Sequence, residues 1–374
     1  MVHNLIVVPG WINSTDTLWF ILDTGVQANL LTEWPAGDSL SLKVSRKITV
    51  TGLGEGEPLE AWLSWDNHIR LPGVEGFHQD LVLLTQHQLP LSSHLGRPIH
   101  GILGYPFFAS FDLHIDYWNE QLVLYPPGTA APHRKMDTLD LIFRQYKPYT
   151  QVGVAAPTQS DSTAALYTQL LIDLGASHAV SLSQFSPEGF IPPPFHLPAF
   201  LGRGLSGSLQ GTVGRIPALQ VGRYCLCRPL AVYPDSSSFP VHRDTLFPVA
   251  GSVGGEIWQR FDLLLSYKRQ QMYLKPNAQY KSAFYYNTSG LEIINPVPGL
   301  PVYVVERVLP DSPADKAGLQ KGDQIVKLNG FADTQLSFPY LLHLLNGKPG
   351  KTLRITYLRQ GKRHSTTFRL EDAL

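Results

Sequence analysis

The sequence has very little cysteine, and its two cysteines are not spaced for a disulfide. Cys225 and Cys227 are the only two among 374 residues. Side chains two positions apart on a strand point the same way, without the geometry that a disulfide needs. A Cys-x-Cys metal site would need further thiols, or histidines at ligand spacing beside it, and the sequence has neither. We interpret both cysteines as small apolar strand residues and predict no metal and no cofactor.

The sequence also lacks an excess of charge and a long apolar run. Its 30 basic and 30 acidic residues balance to a net charge of zero, so no global field would attract the chain to nucleic acid or to an anionic membrane. No apolar run approaches the roughly 18 to 20 residues that cross a membrane. Proline and glycine are abundant, at 30 and 32 residues, which favours short strands joined by turns. We predict a mainly β fold that binds no nucleic acid and has no membrane span.

Two apolar runs each end in an aspartate with a glycine two positions later. Residues 18–25 read Leu-Trp-Phe-Ile-Leu-Asp-Thr-Gly, and residues 170–177 read Leu-Leu-Ile-Asp-Leu-Gly-Ala-Ser. Each pattern is typical of a buried strand that delivers one acid into the interior. Burial of a lone carboxylate costs free energy, so Asp23 and Asp173 are predicted to be partners.

The two aspartates belong to a longer internal repeat with a constant offset of 150 positions. Gly52 and Gly54 recur as Gly202 and Gly204, and Tyr117 recurs as Tyr267. The longer matches are 101–104 with 251–254 and 111–113 with 261–263. A single offset across so many anchors predicts two similar halves.

These residues resemble the aspartic peptidases, and more closely the small retropepsin type, with two copies fused in one chain. The resemblance implies a bilobal pair of β-barrels related by a pseudo-twofold axis, with Asp23 and Asp173 as the catalytic pair. It places Thr24, Gly25, Leu174, Gly175 and Ser177 in the two active-site loops. It assigns the substrate-binding flaps to Gly52, Leu53 and Gly54 in the first half and to Gly202, Arg203 and Gly204 in the second. Because both loops occur in one chain, we expect a monomer to assemble the site.

The second flap contains a glycine pattern that also occurs in dinucleotide-binding sites. Residues 202–207 fit G-x-G-x-x-G, but Pro198 precedes them and Gly211 and Gly214 interrupt the stretch after them, so the strand and helix of a dinucleotide site are missing.

At Leu174 the family usually has Thr or Ser, whose hydroxyl hydrogen-bonds across the pair of loops. Thr24 is expected to make its half of this interaction, and Leu174 is not.

From about residue 289 the composition changes, and the segment resembles a PDZ domain of the bacterial protease-associated kind. The resemblance implies a small β-barrel with two helices and a peptide groove lined by Gly290, Leu291, Glu292 and Ile293. It predicts strands at 302–308 and at the edge 292–295, with a helix at 337–345 flanking the groove. The matching segments are 289–293, 302–308, 310–314, 317–319, 321–325 and 328–330.

The chain is therefore expected to have three domains, a first protease-like lobe at 1–127, a second lobe at 128–280 and a PDZ domain at 285–374. A proline-rich stretch at 126–132 is the expected connector between the lobes. In the first half the first two strands are expected at 5–8 and 18–22. The second half has additional strand-like sequence before its Asp loop, so we expect a signal or anchor segment to precede Met1 in the native protein. With the bacterial character of the PDZ segment, this suggests a location in the periplasm or cell envelope.

Three functions fit these patterns. The first is an aspartic endopeptidase that cleaves an extended peptide between two flaps, while the PDZ domain binds a substrate or a partner's C-terminal tail. The second is a peptide-binding scaffold that keeps the protease fold but has lost turnover through Leu174. The third is an unrelated β-rich protein with a PDZ-like tail. The first is preferred because the repeat supplies two carboxylates and two flaps.

Overall fold

A computed structural model describes residues 3–13, 15–33, 40–52, 54, 56, 58–84, 90–158, 165–238 and 249–374. Of the described residues, 49% lie in strands and 10% in helices, which confirms the predicted mainly β fold class. Within these ranges no helix is long and apolar enough to cross a membrane. The chain divides into two compact units. Unit 1 contains the described residues of His3–Leu89 and His100–Ala283, and unit 2 contains Pro90–Ile99 and Phe284–Leu374.

The first half of unit 1 is built on a seven-stranded sheet in the order β1-β2-β7-β3-β6-β5-β4. Strand β1 also pairs with β5, so the sheet closes on itself. Strand β2 lies where the sequence predicted it, whereas β1 starts two residues later than expected. The strands are β1 (Val7–Ile12), β2 (Leu18–Leu22), β3 (Leu30–Leu31), β4 (Lys43–Val50), β5 (Leu59–Leu71), β6 (Val74–Leu84) and β7 (Gly101–Leu103).

The second half of unit 1 contains a larger sheet in the order β15-β16-β19-β14-β20-β13-β12-β17-β18, with β11 added on β12. Both cysteines are exposed and lie on one strand, β18. The strands of this half are β10 (Asp137–Asp140), β11 (Ile142–Arg144), β12 (Lys147–Ala155), β13 (Leu166–Ile172), β14 (Val180–Leu182), β15 (His196–Gly204), β16 (Gly207–Arg215), β17 (Ala218–Val221), β18 (Tyr224–Cys227), β19 (Leu230–Pro234), β20 (Gly251–Val253), β21 (Phe261–Ser266) and β22 (Gln271–Pro276).

A five-stranded sheet joins the two halves of unit 1. Strands β8 (Asp112–Asp116) and β9 (Gln121–Tyr125) come from the first half, and the order is β10-β22-β21-β8-β9. The buried carboxylate of Asp112 accepts hydrogen bonds from the Ser266 hydroxyl at 2.6 Å and from the Ala130 amide at 3.1 Å. Each half therefore contributes one hairpin to a common sheet.

The offset of 150 residues recurs in the hydrogen-bonding pattern, which confirms the internal repeat. Strand β2 pairs with β7 in parallel, with Leu22 opposite Leu103, and β13 pairs with β20 in parallel, with Ile172 opposite Val253. The helices α2 (Tyr105–Ser110) and α3 (Gly255–Trp258) come directly after β7 and β20 at corresponding positions. Each carries one fully buried aromatic residue at matching positions, Phe108 and Trp258.

Unit 2 is a six-stranded sheet with short helices and has its own apolar core. The strand order is β23-β24-β25-β27-β28, with β26 paired to β25. The predicted helix is confirmed as α5, which starts after Ser337 because the Ser337 side chain accepts from the Tyr340 amide. The elements are α1 (Leu91–Leu95), β23 (Leu291–Ile294), β24 (Tyr303–Val308), α4 (Pro313–Lys316), β25 (Gln324–Leu328), β26 (Phe331–Ala332), α5 (Phe338–Leu345), β27 (Thr352–Arg359) and β28 (Lys362–Arg369).

We predict that Phe108→Ala destabilises unit 1 by about 3 to 5 kcal/mol, because it removes a fully buried ring that stacks on Tyr267. Amide hydrogen exchange of β7 and β8 in the full chain measures the loss. Phe195→Ala is the control, since Phe195 is 64% exposed and its removal should cost less than about 0.5 kcal/mol. Equal protection in the two variants would contradict the assignment of Phe108 to the core.

Candidate active site

The two Asp loops are held by matching backbone hydrogen bonds. The amide of Asp23 donates to the Leu103 carbonyl at 3.0 Å, and the amide of Asp173 donates to the Val253 carbonyl at 3.0 Å. Within each loop the glycine two residues later donates to the carboxylate, at 2.6 Å from Gly25 and at 3.1 Å from Gly175. Strands β7 and β20 therefore fix the two acids in the same way.

The carboxylates of Asp23 and Asp173 face one another across these glycines. A Cβ atom on Gly25 would lie 3.1 Å from Asp23 Oδ1 and 3.7 Å from Asp173 Oδ1. A Cβ atom on Gly175 would lie 2.1 Å from Asp23 Cγ, which is closer than any side chain can approach. Glycine at 175 is thus required by the closeness of the opposite carboxyl group.

This environment keeps a proton on the pair at a pH where an ordinary carboxyl group is ionised. Burial raises the pKa of Asp23, against the opposing effects of the Gly25 amide and the charge of Lys147. Burial and then the charge of Asp23 raise the pKa of Asp173, again against Lys147 among other groups. Two like charges this close cannot both form readily, so the pair holds one proton in common.

Thr24 makes the predicted link across the two loops. Its hydroxyl donates to the Ile172 carbonyl at 2.5 Å and accepts from the Leu174 amide at 3.0 Å. Thr24 is fully buried and Leu174 is 1% exposed, so the side chain at 174 packs in an apolar interior. The link is therefore made by one hydroxyl, from the first half.

The segments behind the loops also correspond. The Tyr105 amide donates to the Val26 carbonyl at 2.9 Å, and the Gly255 amide donates to the Ala176 carbonyl at 2.7 Å. Ser177 is exposed, and its carbonyl accepts from Asn4 Nδ2 at 2.9 Å. Ser177 thus contributes a backbone group to this contact.

The predicted flaps lie at the ends of two hairpins. The first flap joins β4 to β5, and its Gly52 and Gly54 are described, whereas Leu53 lies outside the described residues. In the second hairpin, Gly202 lies at a bulge in β15 with φ +116, Arg203 is exposed, and Gly204 pairs with Gly207. The turn of this hairpin is at residues 205–206, just after the glycines that the sequence indicated.

The two flaps touch each other. The Gly56 amide donates to the Ser206 carbonyl at 2.5 Å, and the Gly52 amide donates to the Ser206 hydroxyl at 3.1 Å. Gly54 has φ +131 and donates to the Ser238 carbonyl at 2.9 Å, and a Cβ atom there would lie 2.5 Å from the Gly207 nitrogen. The glycines of the first flap therefore allow close approach to the tip of the second.

Sequence reasoning missed two residues of this region. Lys147 lies at the turn between β11 and β12, and its charge acts on both aspartates. Its signal was a lysine between two strand-like runs that have no counterpart in the first half. Ser206 receives two flap hydrogen bonds, and its signal was its place two residues beyond the repeated glycine at 204.

In unit 2 the predicted groove residues lie at the start of β23. Gly290 has φ +79, and a Cβ atom there would lie 2.1 Å from the Ser312 side chain. The Leu291 amide donates to the Ser289 hydroxyl at 3.2 Å. Glu292 forms an ion pair with Arg307 on β24, and Ile293 lies in the core opposite Val305. Among the described residues β23 pairs with one strand, β24, so its other edge carries no further strand of the sheet and is where a ligand strand would add.

Comparison with known proteins gives two family matches. Residues 8–107 match the family model described as aspartyl protease, and residues 304–359 match the model described as PDZ domain. The regulator of sigma-E protease RseP of Escherichia coli (strain K12) is 45% identical over 65 residues, which are 17% of this chain and 14% of that protein. The chain therefore matches only a small part of this relative's length.

Among solved structures, the photosystem II D1 C-terminal processing protease is 27% identical and is matched over 23% of each chain, with a TM-score of 0.21. The two family matches lie in the parts of the sequence where each resemblance was identified. The chain thus matches the aspartyl protease family model in its N-terminal part and the PDZ family model in its C-terminal part.

Proposed function

We propose that the chain is an aspartic endopeptidase in which Asp23 and Asp173 together activate one water molecule. The observation that supports this best is the pair of matching loops, which bring two carboxylates face to face across Gly25 and Gly175. The aspartyl protease match covers the first of these loops. The internal repeat supplies the second loop in the same chain.

In this proposal the shared proton determines the roles of the two acids. The ionised carboxylate accepts a proton from water, whose oxygen then attacks the carbonyl carbon of the peptide bond. The protonated carboxyl donates to the carbonyl oxygen and so stabilises the negative charge that develops there. Collapse of the resulting diol breaks the carbon–nitrogen bond, and the amine leaves with a proton from the pair. The raised pKa of Asp173 favours the singly protonated state near neutral pH.

Two further groups support the reaction in this scheme. Lys147 stabilises the ionised member, since its charge lowers the pKa of both aspartates. Thr24 keeps the two loops in register through its hydrogen bonds to Ile172 and Leu174. The flaps offer backbone groups to an extended peptide once they separate from each other. The PDZ domain implies peptide or protein binding in addition.

One observation favours a second candidate, a peptide-binding scaffold without turnover. Leu174 is buried where the family usually places a second hydroxyl, so the two loops are joined asymmetrically. Both carboxylates and the Thr24 link are nevertheless present, which is why we prefer the enzyme.

We predict that Asp23→Asn and Asp173→Asn each lower peptide cleavage at least about 100-fold, because each removes either the proton acceptor or the proton donor. The measurement is cleavage of a denatured protein and a peptide library between about pH 3 and pH 8. Asp116→Asn is the control, since Asp116 lies on β8 and its carboxylate accepts hydrogen bonds from Asn119 and Trp118 in the turn that follows. Cleavage that survives both active-site substitutions would contradict the proposal. Absence of cleavage in the unsubstituted, folded protein would favour the scaffold.

The pair should also leave a signature in the pH dependence of stability. The pKa of Asp173 is raised on folding, so its contribution to stability is complete below the ordinary carboxyl pKa and is lost as the pH rises. We expect the stability of the unsubstituted chain to fall relative to that of Asp173→Asn between about pH 4 and pH 8, by at most about 1.4 kcal/mol per pH unit. Urea unfolding at several pH values measures this difference.

Asp116→Asn is a control for which the stability difference from the unsubstituted chain should change with pH in the opposite direction. Burial raises the pKa of Asp116, but hydrogen bonds from Asn119 and Trp118, together with the nearby His114, outweigh it, so the pKa is lowered overall. Its stabilisation is present above the ordinary carboxyl pKa and is lost as the pH falls. The difference should therefore favour the unsubstituted chain and be complete by about pH 5. The same trend in both variants would contradict the assigned environment of Asp173.

We predict that Thr24→Val destabilises unit 1 by about 1 to 3 kcal/mol, because it leaves the Ile172 carbonyl and the Leu174 amide without the hydroxyl that bonds them. Thr24→Ser keeps the hydroxyl and should retain most of the stability and cleavage. Urea unfolding and peptide cleavage of the two variants make the comparison. If valine and serine behave alike, the link does not hold the loops together.

A further inference from the structure

A short segment of the chain lies apart from the half in which the sequence places it. Residues Pro90–Ile99 come between β6 and β7, both of which belong to the first half of unit 1, yet the segment packs in unit 2 with the PDZ domain. It contains α1 and is closed by Ser92, whose hydroxyl accepts from the Ile99 amide at 2.9 Å and donates to the Ile99 carbonyl at 3.2 Å. We call Pro90–Ile99 the inserted segment.

The peptide groove of unit 2 has two recognisable ends. At the near end, the loop before β23 is tied to the C-terminal end of α5, because the Thr288 hydroxyl lies 2.9 Å from the Gly347 carbonyl and 3.2 Å from the Leu345 carbonyl. At the far end lie Asn295, just after β23, and Phe338, the first residue of α5. A ligand strand that adds to the open edge of β23 would run from one end to the other.

The inserted segment occupies the far end. The Asn295 amide donates to the Ser93 carbonyl at 2.9 Å, which is a backbone bond of the kind that a bound peptide would make. Gly96 has φ +67 and lies directly against Phe338, since a Cβ atom on Gly96 would be 2.2 Å from Phe338 Cδ1.

A third contact lies at the same end. His94 Nε2 lies 3.5 Å from Glu306 Oε2 on β24, the strand that pairs with β23. The inserted segment therefore touches the residue after β23, the neighbouring strand and the first turn of α5. The residue after β23 and the first turn of α5 lie on the two sides of the groove.

We propose that the inserted segment is an internal ligand of the PDZ domain. It fills the far end of the groove, where α1 lies against β23, and leaves the loop at Gly290 and the first residues of β23 to the carboxylate end of another chain. A chain end of about four residues fits between this loop and the segment, whereas a longer peptide continues past Asn295 and has to displace the segment. The ligand class is thus a free protein C-terminus, selected by its length.

Displacement reduces the apparent affinity of long peptides. A ligand that binds only the open state is weakened by the fraction of molecules in that state. If the segment is bound in nine molecules of ten, ten-residue peptides bind about tenfold more weakly than they would to an open groove. Four-residue peptides do not meet the segment and keep their affinity.

A reversible lock tests the proposal. Ser93→Cys with Asn295→Cys joins the segment to the groove by a disulfide, in a chain that also carries Cys225→Ser and Cys227→Ser to remove the exposed thiols. The probes are fluorescein-labelled random peptides of four or ten residues with a free carboxylate, measured by fluorescence anisotropy. We expect oxidation to weaken the ten-residue pool at least tenfold, to leave the four-residue pool unchanged, and reduction to reverse the effect. Equal affinity for the ten-residue pool in both redox states would overturn the proposal, as would no binding of either pool.

A second pair of variants does not depend on the disulfide. Gly96→Val places a side chain against Phe338, whereas Gly73→Val introduces the same residue at another positive φ with open space around it. We expect Gly96→Val alone to strengthen binding of the ten-residue pool about tenfold and to speed hydrogen exchange at the Asn295 amide. If both variants behave like the unsubstituted chain, the segment does not compete for the groove.

Discussion

Two carboxylates held side by side in a protein interior repel each other unless they share a proton, and the geometry of unit 1 enforces that situation. Asp23 and Asp173 are fixed by backbone bonds to β7 and β20, so neither loop can withdraw without breaking a strand pair. The cost of desolvation raises the pKa of both acids, and Lys147 limits the rise. The remaining structure of unit 1 can be understood as support for this pair, since the shared sheet and the Thr24 link hold the two halves together.

Much of this could be predicted from the sequence because it depends on local pattern and on a single offset. An apolar run before Asp-x-Gly identifies a strand and its turn, and the repeat of 150 positions identifies the partner. The role of Lys147 could not be predicted, because its charge reaches the aspartates from a turn that has no counterpart in the repeat. Nor could the position of Ser206, since a contact between two hairpin tips depends on where both hairpins point.

In unit 2, too, the local elements could be predicted from the sequence, whereas a contact between distant segments could not. The dense run of motifs after residue 289 predicted the strands and helix that form the groove, and α5 begins one residue after the expected start at Ser337. The inserted segment was not predicted, because residues 90–99 precede the PDZ domain by almost two hundred positions. The contacts of Ser93 with Asn295 and of Gly96 with Phe338 become visible only in the three-dimensional structure. The sequence motifs of the PDZ segment therefore do not tell whether its groove is free or filled by another part of the chain.

The two halves of unit 1 share a five-stranded sheet and lie in one chain, so their sequences can diverge independently. When two identical chains build a site across a twofold axis, any substitution appears on both sides at once. Here each Asp loop has its own stretch of sequence in one chain, so one loop can be substituted while the other keeps the hydrogen bonds that link the two. Thr24 and Leu174 occupy equivalent positions, yet one carries the hydroxyl and the other fills the apolar interior. Two loops in a single chain can therefore take different roles, which is impossible for the two identical loops of a symmetric dimer.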